Sequence, residues 1–256
     1  MKLVSVRYFL ELSYSGKAYN GWQIQNNAPS VQQTLQEALS TILRVPTGVV
    51  GAGRTDTGVH AARYVAHFDA ECPLEEPQRF CYHLNAILPW DIAVQDVRRV
   101  RDDAHARFDA VEREYKYYVS PRKDPFRRDV AYQLIMPLDL DRMNEAAETL
   151  LGRQDFTSFS KLHSGNKTNI CRVTRAQWRE QDGCYVFTVA ADRFLRNMVR
   201  AIVGTLLDVG RGKLSVEGFR AVIDGRDRAL AGTSAPPQGL FLTRVDYPDD
   251  VYVKQH

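Results

Sequence analysis

Segments with strand-like alternation outnumber helical segments in this chain, and this ratio most restricts the fold that it can adopt. Apolar residues alternate with polar ones between Val4 and Leu12, which is the period of a strand. Two further predicted strands, at about 171–179 and 184–190, flank Gln181-Asp182-Gly183, a typical hairpin turn. The pattern therefore predicts an α+β fold with a mixed or antiparallel sheet and helices packed on it.

Helix signals occur between these strands. Ser30 is expected to cap a helix, with Gln33 three residues later completing a capping box. A second helix ends before Pro89, since the residue before a proline disfavours helical geometry. The remaining predicted elements are strands at 63–69, 92–97, 115–119 and 240–245, and helices over 140–150, 194–206 and 215–225.

The length of 256 residues is sufficient for one large domain or two small ones. The two halves have similar predicted content, so we expect two lobes, residues 1–104 and residues 105–256.

The N-terminus has no signal-peptide pattern and no apolar run approaches the length of a membrane span, which predicts a cytoplasmic protein. The four cysteines form no C-x-x-C pair, so we expect reduced thiols and no zinc site.

The net charge of +3 is small, but the basic residues are unevenly distributed. A single cluster is more often solvated surface charge, whereas several clusters are typical of a protein that contacts phosphates. The clusters are Arg98, Arg99 and Arg101; Arg122, Lys123, Arg127 and Arg128; and Arg193, Arg196 and Arg200.

The most informative segment is Gly-Ala-Gly-Arg-Thr-Asp-Thr-Gly-Val-His-Ala-Ala at residues 51–62. Arg54 lies two residues before Asp56 in a loop rich in glycine, which allows close approach of the backbone to a ligand. A neighbouring guanidinium favours the ionised carboxylate, and an oriented carboxylate is a candidate nucleophile or base. The alternative is a tight turn closed by a surface ion pair, which is common and contributes little stability.

The segment resembles the active-site motif of the tRNA pseudouridine synthase A family, Gly-Arg-Thr-Asp-x-Gly-Val-His-Ala, at every specified position from Gly53 to Ala61. The resemblance continues along nearly the whole chain. The other matching segments are Tyr19 to Gln23, Ser30 to Gln32, His105 to Phe108, Arg113 to Tyr117, Asp155 to Phe159, Met198 to Arg200, and Gly239-Leu240.

The resemblance implies two pseudo-symmetric lobes that share a central sheet, with the active site in the cleft between them. It also implies conversion of uridine to pseudouridine at positions 38, 39 and 40 of the anticodon stem-loop of tRNA, by a homodimer. This isomerisation needs no cofactor and no metal, because the base is never released and no redox step occurs.

The family also implies roles for particular residues. Asp56 is the essential aspartate, which attacks the ribose or the base, or abstracts a ribose proton. Tyr115 is expected to stack on the target base, with movement of a proton as a second role. Arg200 is expected to form a salt bridge to Asp56, and Leu240 to form the apolar wall of the uracil pocket. For Tyr115 and Leu240, plain core packing is the alternative.

Other motif positions leave choices open. Arg54 either pairs with Asp56 or fills the space left when the target nucleotide is flipped out of its stem. His60 is expected to be structural, and Thr55 and Thr57 are assigned no chemistry. Two departures from the family pattern are Asn197, where histidine is frequent, and Ala201, where asparagine is frequent. The polar segment 163–168 is expected to be a loop of unassigned role.

Two other functions remain as hypotheses from the sequence. A non-catalytic RNA-binding module would also carry basic clusters and aromatic residues, but it gives no reason for the loop that contains Arg54 and Asp56. A carboxylate glycosidase also cleaves at an anomeric carbon, but such enzymes usually need two carboxylates that face one bond. The motif supplies only one.

Overall fold

The structure, a computed structural model, describes residues 5–161, 165 and 167–253. Val4 and three residues of the polar segment, His163, Ser164 and Asn166, lie outside the described residues. The chain forms two compact units: residues 1–111 with 242–256, and residues 112–241. The lobes predicted over 1–104 and 105–256 remain a prediction about domains. The boundary between the compact units lies after residue 111, and residues 242–256 belong to the first unit.

The first unit is built on antiparallel strands. Strand β1 pairs with both β3 and β4, so that Leu10 lies opposite Ala66 on one side and Val97 on the other. Leu10 is fully buried, as the alternation in the sequence requires. The elements are β1 (Val6–Tyr14), α1 (Val31–Leu43), β2 (Val50–Gly51), β3 (His60–Ala70), α2 (Pro77–Ile87) and β4 (Ile92–Arg99).

Helix α1 begins where its cap was predicted. The Ser30 side chain accepts a hydrogen bond from the backbone N–H of Gln33 at 3.3 Å. The reciprocal half of the capping box, a bond from the Ser30 N–H to the Gln33 side-chain oxygen, does not form among the described residues. The Gln33 side-chain nitrogen instead donates at 3.0 Å to Glu37, one helical turn away, so the side chain follows the helix face rather than folding back to the cap.

The second unit is a set of antiparallel strands with three helices among its described residues. β5 pairs with β9, β9 with β8, and β8 with β7, while the short β6 runs parallel to β5. The predicted hairpin turn is confirmed: Asp182 and Gly183 have φ values of 52° and 70°. The elements are β5 (Glu112–Ser120), β6 (Tyr132–Gln133), α3 (Leu140–Glu148), β7 (Gly152–Asp155), β8 (Ile170–Gln181), β9 (Cys184–Ala191), α4 (Met198–Gly210) and α5 (Val216–Gly225).

The final strand, β10 (Leu240–Asp246), begins in the second unit and ends in the first. The predicted α+β class is confirmed. Helix α4 begins later than predicted, because Asn197 takes a left-handed conformation with φ 65° and so separates Phe194 from the helix. Among the described residues, no helix has both the length and the apolar character that crossing a bilayer would require.

Candidate active site

Asp56 lies in the loop that connects β2 to β3, within the first unit. Its side chain is half-buried, whereas Arg54 is exposed and Thr55 is buried. Within the part of the chain that the structure describes, Arg54 forms no salt bridge. The loop therefore presents a partly desolvated carboxylate next to a guanidinium that extends into solvent.

The segment between β1 and α1 holds the backbone of this loop. Trp22 donates its backbone N–H to the Thr55 carbonyl at 3.4 Å, and Gly58 donates to the Tyr19 carbonyl at 3.3 Å. These bonds lie on either side of Asp56 in the sequence. The backbone that carries Asp56 is thus held by contacts from outside its own loop, which is the kind of support that a preorganised site needs.

Two glycines permit this close approach. Gly21 has φ +87°, and a Cβ atom built on it would lie 2.2 Å from the Thr55 carbonyl oxygen. Gly58, inside the motif, has φ +77°. Any other residue at Gly21 would be strained and would also push the loop away, so the Tyr19 to Gln23 segment and the aspartate loop form one structural unit.

The side chain of Thr55 forms a contact that the sequence did not indicate. Its Oγ1 lies 2.9 Å from the Tyr14 hydroxyl, and both groups are buried. Tyr14 is the last residue of β1 and lies beyond the alternation predicted between Val4 and Leu12. The sequence pattern therefore gave no indication that Tyr14 contacts Thr55. Thr55 carries no chemistry in this arrangement, but it fixes the residue that precedes Asp56.

His60 has the structural role expected of it. It is buried, and its Nδ1 accepts a hydrogen bond from the backbone N–H of Gly16 at 3.1 Å. An accepting Nδ1 places the proton of the neutral ring on Nε2. The ring thus ties the start of β3 to the turn that follows β1.

Replacing Thr55 by valine should lower turnover with little change in KM, because the variant keeps the volume but loses the bond to Tyr14. Loss of one buried hydrogen bond costs about 1 kcal/mol, or a Tm decrease of about 2–4 °C for a chain of this size. Steady-state kinetics and thermal unfolding measure both effects. Thr55→Ser retains the hydroxyl and should behave like the wild type; equal turnover in both variants would show that the bond does not position Asp56.

Tyr115 lies on β5 in the second unit, opposite Val189 of β9. Its ring is half-buried and stands edge-on to Phe194, with centroids 5.1 Å apart and an interplanar angle of 89°. Tyr117, two residues further on the same strand, is fully buried and donates its hydroxyl to the Pro236 carbonyl at 2.8 Å. Burial also raises the pKa of Tyr117 far above its ordinary value, so this hydroxyl stays protonated.

Arg200 lies in the first turn of α4 and is half-buried. Its Nε donates to the Ala235 carbonyl at 2.7 Å, and the Ala235 N–H donates back to the Arg200 carbonyl at 2.9 Å. Asn197 reinforces this junction through a 2.6 Å bond from its side-chain nitrogen to the Ser234 hydroxyl. Asparagine also tolerates the left-handed backbone at this position, which gives a structural reason for that departure from the family pattern.

Leu240 is buried at the start of β10, directly after the short turn Pro237–Gly239. The segment 234–240 thus contacts Arg200 through Ala235 and Tyr117 through Pro236, and it then supplies Leu240. The structure places these residues and Tyr115 in the second unit, and Arg54 and Asp56 in the first. The salt bridge between Arg200 and Asp56 remains a prediction.

Comparison with known proteins finds the same family that the motif around Asp56 resembles. A family model described as tRNA pseudouridine synthase matches residues 12–109 and 146–248. A tRNA pseudouridine synthase A from Bacteroides thetaiotaomicron is 58% identical over 252 residues, which cover 97% of this chain and 93% of the relative. The enzyme of the same name from Porphyromonas gingivalis is 54% identical, with coverage of 96% and 99%.

A more distant relative, tRNA pseudouridine synthase A from Bacillus subtilis, is 42% identical over 243 residues, with coverage of 92% of this chain and 97% of the relative. Similarity over nearly the full length of such enzymes supports the isomerase over both the non-catalytic RNA-binding module and the glycosidase. The chain therefore belongs to the tRNA pseudouridine synthase family and converts uridine to pseudouridine in tRNA.

Proposed function

We propose that this chain is a cytoplasmic enzyme that modifies uridines 38, 39 and 40 of the anticodon stem-loop, with Asp56 as its catalytic carboxylate. The observation that carries the proposal is the loop geometry around Asp56. A half-buried carboxylate, with backbone bonds from Tyr19 and Trp22 on either side, is held for a chemical role rather than for solubility.

The reaction breaks the bond between C1′ and N1 of uridine and forms a bond between C1′ and C5. The hydrogen on C5 leaves to solvent, and N1 gains a proton, so the reaction is balanced without a co-reactant. Asp56 could attack C1′, attack the base, or abstract a ribose proton. In each case a single carboxylate at the reacting sugar is sufficient.

Three residues of the second unit are proposed to complete the site. Tyr115 is proposed to stack on the base, since its ring is half-buried and its edge contact with Phe194 restricts its orientation. Arg200 is proposed to pair with Asp56 through its remaining guanidinium nitrogens, because its Nε is already bonded to the Ala235 carbonyl. Leu240 offers an apolar surface to the uracil ring.

Arg54 is proposed to occupy the space left by the flipped nucleotide. Its side chain is exposed, and it makes no salt bridge with the described residues. These features favour contact with RNA over the alternative in which it pairs permanently with Asp56. The reacting atoms of a paired uridine lie inside the stack, so flipping has to precede chemistry.

Tritium release from tRNA that carries C5-labelled uridine tests the activity, because only bond formation at C5 expels that hydrogen. We expect release without free uracil, and mapping of the product should place pseudouridine at 38, 39 and 40. Pseudouridine elsewhere in tRNA would contradict the assignment of positions while leaving the chemistry intact. Free uracil would identify a glycosidase.

We further propose that the chain acts as a homodimer on which one tRNA lies across both subunits. A 29.1 kDa monomer can cover only part of the distance from the anticodon stem-loop to the elbow of tRNA. Light scattering should give twice the monomer mass, and an isolated stem-loop should react more slowly than whole tRNA. A monomer that modifies both substrates equally fast would contradict this proposal.

A further inference from the structure

The segment His105 to Phe108 matches the family pattern but has no role in the site described above. It forms a turn between β4 and β5, within the first unit. Phe108 is 73% exposed and Arg107 is also exposed. A single exposed aromatic residue needs no explanation by itself; the backbone that presents this one is, however, tightly fixed.

Hydrogen bonds inside the turn hold its shape. The His105 ring accepts at Nδ1 from the backbone N–H groups of Arg107 and Phe108, at 3.1 and 3.4 Å. The Asp109 carboxylate accepts from the His105 N–H at 2.8 Å, and the Asp109 N–H donates to the His105 carbonyl at 3.0 Å. Phe108 thus lies on a closed turn rather than on a flexible connection.

Bonds from elsewhere in the first unit attach the turn to the sheet. His67 of β3 accepts at Nδ1 from the Ala106 N–H at 3.1 Å, and Tyr247 donates its hydroxyl to the Ala106 carbonyl at 2.5 Å. Burial, together with the nearby charges of Arg7 and His105, lowers the pKa of His67 to about 4. His67 therefore stays neutral and keeps accepting this bond throughout the physiological pH range.

The aromatic rings continue outward from this anchor. The His105 ring packs against His67 with centroids 4.8 Å apart, and against Phe108 at 4.3 Å. The Arg107 guanidinium lies over the Phe108 ring, 5.6 Å from its centroid. The His105 ring and the Arg107 guanidinium thus both contact the Phe108 ring, while most of the surface of Phe108 remains exposed.

The turn and the loop of Asp56 are attached to the same part of the sheet. His67 lies opposite Val50 in the pairing of β2 with β3, and Gly51 lies opposite Ala66. The loop that carries Asp56 leaves β2 at this point. The exposed ring and the catalytic loop therefore start from adjacent positions on one rigid support.

The charges around the turn are compatible with RNA. Three carboxylates lie in or next to it, Asp102, Asp103 and Asp109, and the last two are within ion-pair distance of Arg101, at 3.5 and 4.0 Å. This pairing reduces their repulsion of phosphates. Arg107 adds a cation directly beside the ring.

From this geometry we propose that Phe108 is a stacking surface for an unpaired base of the tRNA substrate, with Arg107 extending the surface as a cation. Bases in RNA loops, and those displaced when a nucleotide is flipped, bind proteins by stacking on aromatic and guanidinium planes. This inference rests on the tRNA substrate, but not on which of its uridines are modified. Phe108 would add affinity without contacting the reacting atoms.

Equilibrium binding of tRNA to Phe108→Ala tests this role. Removal of a base-stacking aromatic side chain should raise Kd by about five- to 150-fold. The slope of log Kd against log salt concentration should not change, since stacking releases no counterions. Phe108→Trp should bind tRNA about as tightly as the wild type, because tryptophan retains a stacking face.

Tyr82→Ala is the matched control. Tyr82 lies on α2 of the same unit and is 72% exposed, but it is not part of the turn. Its replacement should leave Kd unchanged. Unchanged Kd in Phe108→Ala, or equal losses in both variants, would overturn the proposal, as would tryptophan failing to rescue. Since Kd does not depend on where pseudouridine forms, these outcomes are independent of the mapping experiment.

Discussion

Replacing Asp56 by asparagine should abolish turnover while leaving tRNA affinity largely intact. The carboxylate is proposed to do the chemistry, whereas basic residues elsewhere are expected to contact the phosphates and to supply most of the binding free energy. Asparagine has nearly the same shape, and the backbone bonds that hold the loop do not use the side chain. Single-turnover tritium release and equilibrium binding measure the two effects separately.

The matched control is Asp96→Asn. Asp96 lies on β4 of the same unit and forms a salt bridge with Arg98, so the substitution removes one negative charge without touching the loop. This variant should retain turnover. If Asp56→Asn stays within tenfold of the wild-type rate, Asp56 is not the catalytic carboxylate.

The second large effect is expected for Tyr115→Phe. Phenylalanine keeps the ring against Phe194 and keeps the stacking face, but it loses the hydroxyl that is proposed to carry a proton. Proton transfer by a positioned side chain typically contributes 10²- to 10⁴-fold, so we expect a rate decrease of about that size with little change in Kd. Rapid-quench kinetics at saturating enzyme isolate the chemical step.

Tyr118→Phe is the control for this prediction. Tyr118 is the half-buried tyrosine on the opposite face of β5, with its ring edge-on to Phe241 at 5.4 Å. It resembles Tyr115 in exposure and in aromatic packing, but it has no proposed role. Full activity in both variants would reduce Tyr115 to a stacking surface.

Local rules predicted much of the fold. The cap at Ser30 and the hairpin turn at Asp182-Gly183 depend on interactions within a few residues, and both are confirmed. The errors occurred where a competing local contact decided the outcome. The Gln33 side chain bonds to Glu37 and not to the backbone of Ser30. The left-handed backbone of Asn197 makes α4 begin later than the sequence predicts.

The site divides in the same way. The catalytic role of Asp56 stays a prediction, which the sequence allows because its motif is contiguous and specific. The partner of Thr55 could not be predicted, because Tyr14 is distant in sequence and the bond depends on how β1 ends against the loop. The anchoring of Arg200 is also long-range, because its side-chain Nε donates to the backbone carbonyl of Ala235, 35 residues away.

The return of the chain to the first unit has a consequence for synthesis on the ribosome. Val111 donates its N–H to the Asp246 carbonyl, and Arg101 donates to the Val251 carbonyl, at 2.9 and 3.0 Å. Residues 242–253 are translated only after the whole second unit, which is one continuous stretch of sequence. The unit that carries Asp56 therefore has to wait for its closing strand while its neighbour can already fold. A released chain that ends at residue 241 should therefore resist protease over 112–241 but not around the loop of Asp56.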